Sequence, residues 1–498
     1  MEAARPLIVL LCVSAYMVAC VVVGLWALKR TKDAGDFFMA GRHLGAFVTA
    51  MAVFSSTLSG FGFVGGPGLV YRMGMSSMWM IVCISIGYAM SFFLLGKRLR
   101  IFAEVYNPLS LPDVVATRYA SETTRLLISV AILCGVMAYL AAQILAMATV
   151  LQTLIIENTG LDTISIEATI AISCAVLVFY CVTGGIIASV YTDVFQGVIM
   201  IVAGVLVFIT AANTVDGGFT EMSQTIMADD PEAMGPWGTL GMMGCLSWYF
   251  LFAFGGAGQP QVITKIMMNR RVTDARYILP ISLFGYGVAA LLWIGIGLVM
   301  RTLVLQGEHA ELGKADDAAA EFLQAYAHPI LAGVVFAALF AAIMSTADGF
   351  LNIGTAALIH DIPKALGRKS PKNELLWARV ATVAVAVVAA LFARYEPFGL
   401  VALLGKFGWG IFASAITPTV AIGFNWKRAT ALAANLSIIC ALVINIADLT
   451  LRGLGKTLPW AVDGSTLAFV VSLIVFFAVS FLSKPPSIPK DVETLIDL

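Results

Sequence analysis

Two adjacent hydroxyl residues, Ser345 and Thr346, stand inside the apolar run Ala342-Ile343-Met344-Ser345-Thr346-Ala347-Asp348. A hard monovalent cation needs several neutral or anionic oxygens, and hydroxyls together with freed backbone carbonyls can supply them. Most hydroxyls in helices bond back to their own backbone, so the pair gains meaning only from its surroundings. Three charged residues also lie within long apolar runs: Asp193, Asp348 and Lys406. Ionisable groups inside a bilayer are costly and mark ion or substrate pathways. At the rise of an α-helix, Asp348 is expected ~15 Å and Asp193 ~10 Å from the inner ends of their runs, suiting the inner side of a central site. Lys406, ~12 Å below the outer end of its run, has two readings. It is either a cation facing a central cavity, where a charge-assisted hydrogen bond would hold a carboxylate, or a structural partner that neutralises Asp348.

Two breaks in apolar runs could bring backbone oxygens to a cation. One reads Ser55-Ser56-Thr57-Leu58-Ser59-Gly60, followed by Gly65-Gly66-Pro67-Gly68; the other reads Gly255-Gly256-Ala257-Gly258-Gln259-Pro260. Glycine frees the backbone, and Pro260 removes one donor and clashes with the preceding turn. In hydrocarbon, freed amides and carbonyls are tolerated only where protein, water or a ligand meets them. Interrupted spans at matching positions in two halves point to a transporter's binding site. The alternative is that the glycines merely let helices pack closely.

The elements that must position these residues follow from composition. Apolar residues make up 60% of the 498-residue chain and charged residues 12%, against roughly 25% charged in soluble domains. Mean hydropathy is +0.92. Runs longer than the ~18 residues of a spanning helix predict an all-α polytopic membrane protein of about 13 spans: 6–28, 45–71, 75–96, 126–155, 166–183, 186–212, 237–264, 278–304, 328–358, 377–394, 398–423, 429–449 and 460–482. No extended period-two alternation supports a β-barrel. Thirty basic and 30 acidic residues cancel, which argues against a nucleic-acid partner. All eight cysteines fall in apolar runs and read as small buried hydrophobes without a disulfide framework. The four histidines fall at or beyond span ends with no metal-ligand spacing. The first run is too long for a cleaved leader and is expected to stay as an anchor.

Basic residues crowd alternate loops, among them Lys29, Arg30, Lys32 and Arg42, then Lys97, Arg98 and Arg100, then Lys265, Arg270 and Arg271, then Lys364, Arg368, Lys369 and Lys372. By the positive-inside rule this predicts the bacterial inner (plasma) membrane with the N-terminus outside and the C-terminus cytoplasmic. The breaks fall in the second and seventh spans, five apart, and an odd-numbered repeat inverts. The predicted organisation is an extra helix and loop (1–44), a first five-helix repeat (45–212), an outer loop (213–236), an inverted second repeat (237–424), and two C-terminal helices with a short tail (425–498).

The chain resembles the sodium:solute symporter family, whose members take up proline, pantothenate, monocarboxylates, sialic acid or sugars. The resemblance runs from Asp36-Phe37-Phe38 with Gly41-Arg42 to the last span. It is most specific at Gly184-Gly185-Ile186-Ile187-Ala188-Ser189-Val190-Tyr191-Thr192-Asp193-Val194-Phe195-Gln196, which looks like the family signature. Gly66-Pro67-Gly68, Gly258-Gln259-Pro260 and Ser345-Thr346 also stand where the pattern expects them. The resemblance implies a leucine-transporter-like fold and a sodium site between the second and ninth spans. Its ligands would be the carbonyls of Ser55, Leu58 and Ala342 and the hydroxyls of Ser345 and Thr346. For some members it implies a second cation site, here Asp193, Ser345 and Asp348, with Asp348 where a hydroxyl is expected. Thr57, Ser59, Gln143, Phe252, Gly256, Lys406 and Trp409 are the expected solute-lining residues. Phe252 and Gly256 stand where the proline branch offers Trp and Tyr, Trp409 matches an aromatic of that branch, and Gly-Gly-Pro-Gly with Tyr71 is similar to the pantothenate pattern.

Together these readings predict sodium-coupled import, by alternating access, of a small carboxylate-bearing organic acid or amino acid. Na+ is the co-transported ion, with no organic cofactor and no obligatory protein partner expected. Proton coupling in the same fold and a transporter-like sensor are the alternatives. A channel lacks a selectivity-filter sequence, and an enzyme lacks a nucleophile–base or metal motif.

Overall fold

The computed structural model describes residues 4–29, 34–40, 44–159, 164–368, 373–395, 400–456, 458 and 462–497. Of the sequence features above, Arg30, Lys32, Gly41, Arg42, Lys369 and Lys372 lie outside the described residues. In lipid the backbone must satisfy its own hydrogen bonds. Among the described residues the regular structure is helical, apart from one isolated bridge between Leu44 and Asn269. Among the described residues, eleven helices are long and apolar enough to cross a membrane, and two shorter apolar ones, Ala46–Ser55 and Ile166–Phe179, accompany them.

The expected fifth and sixth spans run on as Ile166–Thr214, divided by a kink at Gly185 (φ 55°, ψ −160°). Only glycine adopts that conformation without strain, and a Cβ there would come within 2.7 Å of the Phe37 ring. Shorter helices lie between the spans: Leu111–Tyr119, Gly218–Asp229 and Ala318–Ala325.

The rod that carries Ser345 and Thr346, Pro329–Ala356, is the structural axis. Its residues from Ala332 to Ala356 are almost all buried, packed against Arg5–Leu28, Glu122–Thr159 and Ile166–Thr214. The helix Glu374–Arg394 instead exposes Val387, Val388 and Leu391, the pattern of a lipid-facing helix. A helix that is apolar all round and enclosed on every side gives Ser345 and Thr346 no solvent to face, only other spans.

Both expected breaks are present, the first narrower than predicted. In the second span helix Ala46–Ser55 stops and the next turn, Gly60–Phe63, starts after Ser59. The glycines further on belong to a regular helix, Gly65–Met73, and serve close packing. A Cβ on Gly66 would sit 2.2 Å from the Trp293 ring, and one on Gly65 would meet the Ala402 backbone at 2.6 Å. In the seventh span a π-turn, Tyr249–Phe254, and a 3-10 turn, Gly255–Gly258, lead to an extended Gln259 before helix Pro260–Met268.

Candidate cation and solute site

The break in the second span releases two carbonyls, and the ninth span collects them. In a continuous helix the Gly60 N–H would close onto Ser56. Here it donates to Gln143 Oε1 at 2.8 Å. The Ser55 carbonyl accepts from Ser345 Oγ at 3.0 Å, and the Ser56 carbonyl accepts from Thr346 Oγ1 at 3.1 Å. Ser345 Oγ also reaches the Ala342 carbonyl at 3.1 Å. Ser55, Ala342, Ser345 and Thr346 are thus brought together, all buried. Leu58 lies buried in the same non-helical stretch, but the carbonyl that meets Thr346 belongs to Ser56, a residue absent from the expected set. Hydroxyls that donate to carbonyls can turn their lone pairs to a cation instead. The arrangement offers neutral oxygens from two spans, the chemistry a bare alkali ion requires.

The expected second cation site is not assembled as predicted. Asp193 Oδ1 accepts from Ser55 Oγ at 2.8 Å, and Oδ2 from Lys265 Nζ at 2.9 Å. Asp348 Oδ1 accepts from Ser189 Oγ at 2.7 Å, while its Oδ2 is buried without a partner. Ser345 is committed to the second span. Lys265 was read as a loop cation because it precedes Arg270 and Arg271. The structure buries it to 2% exposure in helix Pro260–Met268. The signal that could have found it is that the apolar run extends through Ile266-Met267-Met268, which makes Lys265 an intramembrane residue.

Lys406 is not the partner of Asp348. Its ammonium pairs with Asp463, in the segment before helix Gly464–Leu482, and lies over the Trp248 ring. Asp463 falls three residues inside the last expected span, 460–482, where a charge near a span end gives no sign of a distant partner. Lys406, Arg72, Arg452, Trp248 and Asp463 line a cavity of about 380 Å³ with several leucines.

The other solute-lining candidates fall into separate groups. Ser59 Oγ lies 3.4 Å from Tyr139 Oη, next to Gln143, whose carbonyl oxygen caps the second half of the broken span. Thr57 Oγ1 bonds back to Val53. Phe252 packs between Trp248 and Trp409, with ring centroids 6.1 and 5.5 Å away, and the Trp409 indole N–H is buried without a partner. Gly256 faces a helix, not a cavity: a Cβ there would stand 2.5 Å from Gly87 Cα, and its carbonyl accepts from Ser91 Oγ at 3.0 Å.

Away from these groups, Asp113 of helix Leu111–Tyr119 pairs with Arg125, Lys364 (2.8 Å) and His360 (3.1 Å). Asp113, His360 and Asp361 approach one another at metal-ligand distances, a grouping that sequence spacing did not suggest. Within that grouping Arg125 and Lys364 compensate the charge of Asp113.

A membrane protein with two interrupted spans, neutral oxygens converging at one interruption and buried carboxylates beside it is built as an ion-coupled secondary transporter. The chain belongs to the sodium:solute symporter family, whose model matches residues 37–440. It is similar to the sodium/proline symporter of Escherichia coli (29% identical, covering 98% of this chain and 95% of that one). It is also similar to the osmoregulated proline transporter of Bacillus subtilis (26%, covering 95% and 94%). Among solved structures, the substrate-bound outward-open state of a Na+-coupled sialic acid symporter shares the fold. Its TM-score is 0.78, with 21% identity, covering 97% of this chain and 99% of that one. The fold is therefore the leucine-transporter-like one that the resemblance implied, and sodium-coupled symport across the plasma membrane is the family's activity.

Proposed function

We propose that this chain imports a small carboxylate-bearing solute, an organic acid or an amino acid, with sodium, by alternating access. The observation that carries the proposal is the meeting of Ser345 and Thr346 with the carbonyls of Ser55 and Ser56 across the broken second span. Sodium entering from outside replaces those hydrogen bonds with coordination, which ties the ninth span to the break and orders the outward-open state. A single charge crossing gains ~2.3 kcal/mol per 100 mV before any concentration term. Coupling then requires that sodium and solute raise each other's affinity reciprocally.

The carboxylate preference rests on the cationic groups that line the outer cavity, Arg72, Lys406 and Arg452, of which Lys406 is paired with Asp463 and Arg452 with Asp448. An approaching anion meets guanidinium and ammonium groups that offer charge-assisted hydrogen bonds. Phe252 and Trp409 then lie inward of Trp248 as an apolar floor. The proline transporters among the relatives support an amino acid as one member of the solute class. The test is uptake into proteoliposomes of labelled amino acids and monocarboxylates with external sodium replaced by choline at fixed pH. Uptake that collapses without sodium is expected; undiminished uptake would remove the sodium claim.

A further inference from the structure

Both carboxylate oxygens of Asp193 already hold a partner, and one of those partners is a cation. Oδ1 takes the Ser55 hydroxyl, and Oδ2 takes the Lys265 ammonium at 2.9 Å. The same ammonium donates to the Ala52 carbonyl at 2.6 Å. Asp193 is 0% and Lys265 2% exposed. We propose that Lys265 supplies, tethered to the chain, the cation that Asp193 holds. The inner cation site thus takes this protein's own primary ammonium in place of a second sodium ion, and each cycle moves one sodium ion. This rests on the sodium-symport reading above.

The chemistry of the two cations explains the substitution. An alkylammonium and a sodium ion carry the same charge and seek the same oxygens, a carboxylate and backbone carbonyls, and two of the ammonium's three donors are already placed. A free ion competing for Asp193 would strand the ammonium in a low-dielectric interior, where an unpaired buried charge is strongly unfavourable. Asp348 holds Ser189, on the same helix as Asp193, with Oδ1 and leaves Oδ2 without a partner.

The pair also reaches the sodium site through one residue. Ser55 gives its hydroxyl to Asp193 and turns its carbonyl to Ser345 Oγ. Ala52 and Ser55 belong to the last turn before the break, and Lys265 belongs to the helix just after the break in the seventh span. Lys265 and Asp193 are therefore positioning residues. They fix the last turn of the second span, and with it the carbonyl that sodium meets, to the inner half of the seventh.

Equilibrium binding of radiolabelled sodium to the purified full-length protein tests this without knowledge of the solute. Wild type is expected to bind sodium at one site per chain, with a Hill coefficient of about 1, and Lys265→Gln to expose Asp193 and move the coefficient toward about 2. Lys265→Arg should keep the single site. The charge-neutral pair Lys265→Met with Asp193→Asn should return it, and this remains decisive if Lys265→Gln fails to fold. Two sodium ions per wild-type chain, or a second site that survives Asp193→Asn in the double variant, would overturn the tethered-cation assignment. No sodium binding at all would instead overturn the sodium-symport reading.

Discussion

Ser345 and Thr346 are neighbours on one helix, yet they donate to consecutive carbonyls of another, 3.0 and 3.1 Å away. Ser345 also reaches Ala342 on its own helix, but the cross-span bonds set the pair apart from hydroxyls that bond only to their own turn. Ser345→Ala removes one neutral oxygen from the set. It should raise the sodium concentration for half-maximal uptake about tenfold or more, each tenfold being ~1.4 kcal/mol. Thr346→Ser should leave that concentration near wild type, because only the methyl is lost. Sodium titrations of uptake at saturating solute check both. Lys406 is the residue on which the proposed carboxylate preference is tested. With its partner Asp463 it forms a pair whose side chains are 9% and 6% exposed. Removing one member of such a pair costs about 3–5 kcal/mol, so Lys406→Ala alone confounds stability with recognition. Lys406→Ala combined with Asp463→Ala should restore the thermal midpoint while leaving KM for carboxylates raised and KM for the matching amides unchanged. A double variant with normal KM for every acid would remove the carboxylate argument.

The broken second span is held open by a residue from another helix. Gln143 caps Gly60, so the N–H that would rebuild the helix is already satisfied. Gln143→Ala would orphan that buried donor at about 1–3 kcal/mol. The expected result is a lower thermal midpoint together with weaker sodium binding, because the Ser56 carbonyl would be drawn back toward Gly60. Gln143→Glu keeps the acceptor and should lose far less. The glycines around the breaks act differently. Gly66 is a seat for Trp293 and Gly256 a seat for Gly87, so larger residues there force whole helices apart. Gly256→Val should therefore reduce the amount of folded protein, seen by size-exclusion of detergent extracts, and not merely shift a KM.

At the scale of the whole molecule, the two ends of the helix bundle carry different charge networks. One cavity is lined by Arg72, Lys406 and Arg452. Elsewhere Asp113 joins helix Leu111–Tyr119 to Arg125 of the fourth span and to His360 and Lys364 beyond the ninth. Burial pushes the Asp113 carboxyl up, but hydrogen bonds from His360 and Lys364 outweigh it and hold the group well below the usual carboxylate range. A depressed folded-state value contributes stability that is present above the unfolded value of about 4 and lost as pH falls below it. Thermal midpoints should therefore be insensitive to this group near neutrality and decline on acidification below about pH 4. Asp113→Asn should flatten that decline and lower the midpoint at neutral pH. An unchanged profile would show that the Asp113 network contributes nothing to stability.

Periodic apolarity is written along the chain, so lipid-spanning helices, their approximate bounds and the two interruptions could be read from residue types alone. Ser345, Thr346, Asp193 and Asp348 were legible for the same reason, since a polar group in a run of apolar ones is conspicuous without any partner being known. Partners are another matter. That Asp193 meets Lys265, that Lys406 meets Asp463, and that Thr346 meets the Ser56 carbonyl depend on how helices distant in sequence rotate and slide against each other. A lysine a few residues past an apolar run looks the same whether it faces cytoplasm or a buried carboxylate, and only packing of the seventh span against the second and sixth decides it. The glycines show the same division: their presence was plain, but whether each opens a helix or seats a neighbour is set by what lies within a few ångströms in space. Burial cost selects which residues enter the membrane, one residue at a time. Pairing energy is a property of two positions at once, and it exists only when the tertiary structure brings them together.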